Sequence, residues 1–381
     1  MRFLALYDAS PTTHDFLLQK NASPGIIFLV MERAVYRIID ANFNRSREAI
    51  RLIEEYCRFA LNSASLAAGA KKIRHELSAL IGNLDGARLI AGRDTLGDVG
   101  VGMAVDNQMK RADLADSLTA AQKRLTEALR VLAELVAPLN QPVAENLEKL
   151  RYDAYTLEKN IVTFGTAAGK YSRVRLYVVI SSNLPADVFA LTEKCIVGGA
   201  DCIQLRAKNI ADDKLFALAS EFVKLCKDGN VLSIINDRVD VAVAGGADGV
   251  HLGQNDLPVE QAYRLAMTPL IIGKSTHSIE QLKAACGQPI VYASLGPVYA
   301  TPTKPAAEAV GLEYVSQGTK ILADTAIGHV AIGGINLENI ENVLKAGAKT
   351  VAVCRAVTDS DNPRLACKKL KEKIVSFQSD D

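Results

Sequence analysis

The sequence predicts a (β/α)8 barrel in its C-terminal half, preceded by an all-helical domain. Three observations carry that expectation. Short apolar, β-rich runs follow one another from residue 176 onward, and they number eight. Helix-like stretches separate nearly all of them, at a repeat of roughly 20 to 30 residues, as eight β-α units require. Upstream, apolar positions recur at intervals of three and four and β-branched runs are rare, which is the helical period.

Residues 1–30 fit neither pattern and read as an arm, or as a stretch ahead of a true start at Met31. Residues 31–165 form the helical domain, with helices expected over 32–62, 64–81, 111–137 and 142–161. A Gly-rich, turn-like insert, "GRDTLGDVGVG", lies at 92–102, and Pro138 and Pro142 bracket the break between the last two helices. Residues 166–173 are small and polar enough for a flexible linker. The barrel then occupies 174–381, with strands at 176–180, 202–206, 232–236, 249–253, 270–275, 290–296, 329–334 and 350–356. These runs are continuous rather than alternating, as in strands buried on both faces. A doubly wound open sheet is the alternative. The count of eight and the missing GxGxxG motif favour the barrel.

The chain has 381 residues, 49% hydrophobic and 23% charged, enough for two globular cores. A formal net charge of +1 provides no bulk field for nucleic acid or an anionic membrane, so any anion must be held locally. No apolar run approaches the roughly 18 residues of a membrane span. The start "MRFLALYDAS" makes a poor signal peptide. Seven cysteines without a CxxC pair suit reduced thiols, so a cytoplasmic location is expected. Homo-oligomerisation is left open.

In a parallel barrel, functional groups gather at the carboxyl ends of the strands. Strand 2 runs into "QLRAK", where alternation puts Gln204, Arg206 and Lys208 on one side. Strand 3 ends in Asn236 and Asp237, and strand 4 runs on to Gln254 and Asp256. Strand 5 ends in "GKSTH" with Ser275. Strand 6 runs into "GPVYATPTK", with Thr301, Thr303 and Lys304. Strand 7 ends in Gly333 and Gly334, and strand 8 ends near Arg355. Two neighbouring carboxylates, Asp237 and Asp256, suit Mg²⁺ shared with substrate phosphate oxygens. Arg206 and Lys304 suit a diphosphate, Ser275, Thr301 and Thr303 offer neutral donors, and the glycine pair lets backbone N–H groups approach a phosphate. Taken singly, each has a plainer explanation: Asp237 and Asp256 as helix caps, the cations as solvated charges, the glycines as turns, His251 as a satisfied core histidine. Six strand ends carrying suitable groups at one mouth outweigh those explanations.

Residues 174–377 resemble thiamine-phosphate synthase. "QLRAK", "IIND", "ADGVHLGQND", "GKSTH", "GPVYATPTK" and "AIGGI" stand in that family's order and at its strand ends. The resemblance implies coupling of hydroxymethylpyrimidine diphosphate to a thiazole phosphate, releasing diphosphate. It implies that Asp237 and Asp256 hold Mg²⁺. Arg206, Lys208, Asn236 and Lys304 would hold the diphosphate, with Ser275 close by, and Gln204 would face the pyrimidine. Thr301, Thr303, Gly334 and the start of the last helix would hold the thiazole phosphate. A related thiazole tautomerase on the same barrel does not need the metal-diphosphate set, which ranks it lower.

The helical half carries Arg37, Asp40, Asn44, Glu48, Arg51, Glu55 and Arg58 in one polar stripe of helical spacing. By pattern alone this is a solvated face laced with ion pairs. Its arginines, and Arg93, Asp94 and Asp98 on the Gly-rich insert, also suit phosphate and metal. No GxxxxGK[ST] loop is present. The half nonetheless resembles a small helical domain often fused to thiamine-phosphate synthase, through "DANFNRSREAIRLIEEYCRF", "RDTLGDVG" and "NLEKLRYDAYTLEK". That resemblance implies ATP-dependent phosphorylation of hydroxymethylpyrimidine phosphate. Asp40, Asn44, Arg45, Glu48, Arg51, Arg93, Asp94 and Asp98 are candidates by charge and position. A non-catalytic docking or oligomerisation module is the alternative.

Overall fold

The computed structural model describes residues 24–103, 110–266, 269–301 and 308–379. They fall into two compact units, one formed by 24–56 with 68–158, the other by 57–67 with 159–379.

The first unit is helical. Helix α1 (Pro24–Glu55) continues into a π-helical segment, Tyr56–Ala60. It is followed by α2 (Ala64–Ile81), α3 (Gly86–Ala91), α4 (Leu114–Val136) and α5 (Gln141–Tyr171). The apolar face of α1, Ile39, Ile50 and Ile53, is fully buried; so is that of α4, Leu125, Leu129, Leu132 and Val136. Asp85 caps α3 by accepting from Ala87 N–H and Arg88 N–H, and Asp113 caps α4 by accepting from Asp116 N–H. The stretch 166–173 differs from the flexible linker expected of it: α5 runs unbroken to Tyr171. Residues 24–30, expected in an arm, belong to α1.

The second unit holds a closed barrel of eight parallel strands paired in chain order. These are β1 (Leu176–Ile180), β2 (Cys202–Leu205), β3 (Leu232–Asn236), β4 (Gly249–Leu252), β5 (Ile271–Thr276), β6 (Tyr292–Leu295), β7 (Gly328–Ile332) and β8 (Val351–Val353). The helices between and after them are α6 (Pro185–Val197), α7 (Asp212–Asp228), α8 (Val239–Ala244), α9 (Val259–Leu265), α10 (Ile279–Cys286), α11 (Gly311–Ala323), α12 (Ile340–Lys345), α13 (Arg355–Thr358) and α14 (Pro363–Ser379). Outward strand residues such as Val178, Ile203, Ile235 and Val250 pack with the helices in one core. Inward residues form a second core, and α5 contributes to it: Ala167 and Tyr171, with Val174 just beyond the helix, join Tyr177, Cys202, Ile271 and Tyr292. Tyr171 stacks on Tyr292 with ring centroids 4.4 Å apart. Gly273 makes room for that ring, since a Cβ there would lie 2.1 Å from the Tyr292 side chain.

His329 on β7 gives the barrel a pH-dependent stability. Its Nε2 accepts the Lys349 backbone N–H at 2.8 Å. Burial, with the cations Lys349 and Arg175 nearby, lowers its pKa to about 4. The unfolded chain, with a histidine pKa of about 6.5, therefore binds more protons than the native one between those values. Stability falls as pH drops from about 6.5 to about 4, by about 3 kcal/mol over the window. Urea unfolding of the wild type and His329→Gln at pH 7 and pH 4.5 measures this. The variant should lose less stability over that interval; equal losses would remove His329 as the cause.

Candidate active site at the carboxyl end of the barrel

A cavity of about 420 Å³ opens at the carboxyl ends of the strands. Gln204, Arg206, Asn236, Ser275, Thr301, Gly333 and Gly334 all line it. Gln204 precedes the end of β2 by one residue and is buried. Arg206 follows β2, its backbone N–H donating to Ile180 O and its Nη1 to Ser181 Oγ at 3.1 Å, which ties it to the end of β1. Asn236 is the last residue of β3. Thr303 and Lys304 lie outside the described residues.

Lys208, Asp237 and Asp256 form a cluster of their own. Lys208 Nζ lies 3.1 Å from Asp237 Oδ2, and the two carboxylates are within hydrogen-bonding reach of each other. Burial and the neighbouring Asp256 raise the Asp237 pKa against the pull of Lys208. Burial also pushes Asp256 up, but hydrogen bonds from Asp237 and the Gly253 N–H, with Lys208 and Lys274 nearby, bring it below the usual carboxylate range. A hard divalent cation is the partner that two adjacent carboxylates favour. The residues present therefore fit Mg²⁺.

Neither carboxylate caps a helix. Arg238 holds the N-cap position of α8 and Pro258 that of α9, and neither makes a side-chain cap bond. Asp237 instead sits at φ +64°, a conformation costly for most side chains, with its N–H donating to His251 O at 2.9 Å. Asp256 Oδ2 accepts the Gly253 N–H at 2.6 Å.

The glycine pair is explained by backbone approach. Gly333 and Gly334 have φ +111° and +64°, and a Cβ on them would meet Pro297 at 2.5 Å and Tyr299 at 2.7 Å. The loop after β6 runs beside them, Val298 N–H donating to Ile332 O and Tyr299 N–H to Gly333 O. The pair does not open directly into a helix, because α12 begins only at Ile340. The helix that reaches the cavity is the short α13, through Arg355 and Ala356. Loops after strands 7 and 8 with a short extra helix are the usual phosphate site of this barrel.

Sequence reasoning missed several polar groups. His277, Ser294 and Asn336 line the cavity. Lys274 points outward from β5, is buried, and donates to Gly253 O at 2.7 Å; burial lowers its pKa, partly offset by Asp256. His277 and Lys274 sit inside the "GKSTH" segment, and strand parity separates Lys274 from Ser275. His251, expected to be a satisfied core histidine, has both ring nitrogens within hydrogen-bonding distance of a hydroxyl, Tyr292 Oη and Ser275 Oγ.

In the helical unit the polar stripe divides. Arg93 makes a bidentate pair with buried Asp40, at 2.7 and 2.8 Å. Arg37 Nη2 donates to Asp94 O at 3.0 Å and lies 3.5 Å from Asp98 Oδ2. Asp94 and Asp98 accept the N–H groups of Gly97 and Gly100 within the loop, and Asn44 Nδ2 donates to Asp40 O. The structure thus brings Asp40, Asn44, Arg93, Asp94 and Asp98 together. Arg51 instead pairs with Glu55 at 2.9 Å on an exposed face, while Arg45 and Glu48 are also exposed. That lower part of the stripe is the solvated, ion-paired face.

A parallel barrel with a cavity at the carboxyl ends of its strands, into which polar side chains converge, is the architecture of an enzyme acting on small molecules. The thiamine monophosphate synthase family matches residues 176–357, and the ThiD2 family matches residues 37–160. The thiamine-phosphate synthase of Nostoc punctiforme is 40% identical over 345 residues, covering 90% of this chain and 95% of that protein. That of Synechocystis is 38% identical over 341 residues, covering 90% and 96%. A solved thiamine phosphate pyrophosphorylase from Pyrococcus furiosus is 35% identical, covers 54% of this chain and 96% of its own, and superposes with a TM-score of 0.49. The chain belongs to the thiamine-phosphate synthase family, and is a transferase of thiamine biosynthesis. Among the described residues, no helix is long and apolar enough to cross a membrane.

Proposed function

We propose that the barrel couples hydroxymethylpyrimidine diphosphate to hydroxyethylthiazole phosphate, and that the helical unit makes the first of these substrates by phosphorylating hydroxymethylpyrimidine phosphate with ATP. The convergence of residues from separate strands on one cavity, with Asp237 following directly on Asn236 and Asp256 against it, supports the coupling reading.

The reaction breaks the bond between the pyrimidine methylene carbon and the diphosphate oxygen, and the electron pair leaves with diphosphate. The thiazole nitrogen then donates its lone pair to the methylene carbon, so no general base is needed. Arg206, Lys208 and Lys304 are the cations assigned to the leaving diphosphate, where fixed positive charge contributes most. Asn236 and Ser275 add neutral donors to it, and Gln204 faces the pyrimidine. Thr301, Thr303, Gly333 and Gly334 hold the thiazole phosphate so that its ring nitrogen meets the carbon. Asp237 and Asp256 would hold Mg²⁺, which supplies further neutralising charge to the diphosphate.

The test supplies the full-length protein with thiazole phosphate, Mg²⁺ and either the pyrimidine diphosphate or the monophosphate plus ATP. Thiamine phosphate from both donors is expected. Product from the diphosphate alone would make the helical unit a docking or oligomerisation module. Product from neither would overturn the coupling assignment in favour of a tautomerase.

A further inference from the structure

We propose that a directional chain of hydrogen bonds along the floor of the cavity couples the diphosphate end of the site to the pyrimidine end, with Tyr177, Tyr292 and His251 as positioning residues. The inference rests on the synthase reading given above. Gln204 Nε2 donates to Tyr177 Oη at 2.8 Å, and Tyr177 Oη lies 2.9 Å from Tyr292 Oη. Tyr292 Oη lies 3.0 Å from His251 Nδ1, and His251 Nε2 lies 2.9 Å from Ser275 Oγ. Five side chains from five strands form one continuous path; Gln204 and Ser275 at its ends line the cavity, as do Tyr177 and His251, while Tyr292 lies behind them.

Each interior group has one proton to give along the path, so the chain runs in one of two senses. Burial pushes both phenols well above their usual pKa, so they keep their protons. In the first sense the Gln204 amide N–H donates to Tyr177, Tyr177 to Tyr292, and Tyr292 to His251 Nδ1. His251 then carries its proton on Nε2 and donates it to Ser275 Oγ. The serine's own proton is left for the cavity, and the Gln204 carbonyl oxygen is left as acceptor toward the ring. In the second sense Ser275 spends its proton on His251 Nε2, every link reverses, and Gln204 must turn its carbonyl oxygen to Tyr177.

What binds at Ser275 selects between them. A diphosphate oxygen only accepts, so a diphosphate beside Ser275 requires the first sense. The amide of Gln204 is then fixed with its oxygen available to the exocyclic amine of the pyrimidine. The leaving-group end of the site thereby sets which ring substituent is accepted at the other end. A pyrimidine bearing oxygen in place of the amine would meet an acceptor with an acceptor and be rejected.

The experiment measures kcat/KM for coupling with the aminopyrimidine diphosphate and with the analogue carrying oxygen in place of the amine. Tyr177→Phe and Tyr292→Phe keep both rings and remove one link each. Both should reduce the preference for the amine by about tenfold, the worth of one hydrogen bond. Among the described residues Tyr292 makes no hydrogen bond to Gln204 and is joined to it through Tyr177, so its effect distinguishes a relay from a local contact. Tyr171→Phe is the control: its hydroxyl is buried, makes no hydrogen bond among the described residues, and its removal should leave the ratio unchanged. An unchanged ratio in Tyr292→Phe would overturn the relay, even if Tyr177→Phe lowers it. A second readout is independent of turnover. With ¹⁵N-labelled histidine, assigned through His251→Asn, the wild type holding Mg²⁺ and inorganic diphosphate should show His251 neutral with its proton on Nε2. A proton on Nδ1 would overturn the proposal. If the wild type makes no product from the diphosphate, the synthase reading fails, and the tautomer still decides the chain's direction.

Discussion

Asp237→Asn should lower thiamine phosphate formation on the order of a thousandfold while leaving the fold in place, because one carboxylate of the pair proposed to hold Mg²⁺ is lost where several kcal/mol of charge stabilisation is needed. Asparagine suits the position. It tolerates the left-handed backbone that Asp237 adopts at φ +64°, and its side chain is nearly isosteric. Asp237 also lies against Asp256, and its half-burial beside that carboxylate keeps its pKa raised. Neutralising it relieves that repulsion, while Lys208, its other partner, is half-exposed and can be solvated. The melting temperature should therefore stay near that of the wild type. The discriminating measurement is a Mg²⁺ titration of the coupling rate. The variant should need far more Mg²⁺, with little change in KM for thiazole phosphate. An unchanged Mg²⁺ requirement would remove Asp237 from the metal site, and a matching rise in the thiazole phosphate KM would place it at the other substrate.

The parts of the fold that were legible in the sequence are those whose burial is local and periodic. The strands could be read as continuous apolar runs because both of their faces are covered, and most runs begin within a residue or two of the structural strand. The exceptions have physical causes. The run 350–356 stays apolar past Val353, but Arg355–Thr358 turns into the short helix α13. The stretch 166–173 looked like a linker because it is rich in small residues. Ala167 and Tyr171 are held in helix by packing into the barrel interior, a tertiary contact that no local pattern announces. The cavity lining was legible because carboxyl-end positions can be counted from strand ends. The hydrogen-bonded path through Tyr177, Tyr292 and His251 was not. Its members are far apart in the chain, and each sits within a strand, the tyrosines buried and His251 half-buried.

Arg93→Ala should reduce ATP-dependent phosphorylation by about a hundredfold, the loss typical of removing one positioned donor, while coupling from supplied pyrimidine diphosphate proceeds as in the wild type. The sequence placed Arg51 and Arg93 on equal footing, as arginines of a stripe and of a loop. The structure separates them. Arg93 stands just beyond α3, whose capped start and close approach at Gly92, where a Cβ would come within 3.2 Å of Arg37 N, fix where the loop begins. From there it grips buried Asp40 with two hydrogen bonds, and Arg37 binds the same loop at Asp94 and Asp98. A planar guanidinium held in this way is set to exchange a carboxylate for phosphate oxygens with little loss of order. Arg51 pairs along its own helix with Glu55, an exposed arrangement worth little to the fold and directed to solvent. Arg51→Ala should therefore leave both activities within about twofold of the wild type. ADP release and thiamine phosphate formation, measured on each variant, separate the possibilities. A loss in Arg51→Ala without one in Arg93→Ala would move the phosphoryl site to the exposed face of α1. If neither variant loses activity, the Asp40–Arg93 clamp is a structural fastening of the loop, and phosphoryl transfer must use other groups of the helical unit.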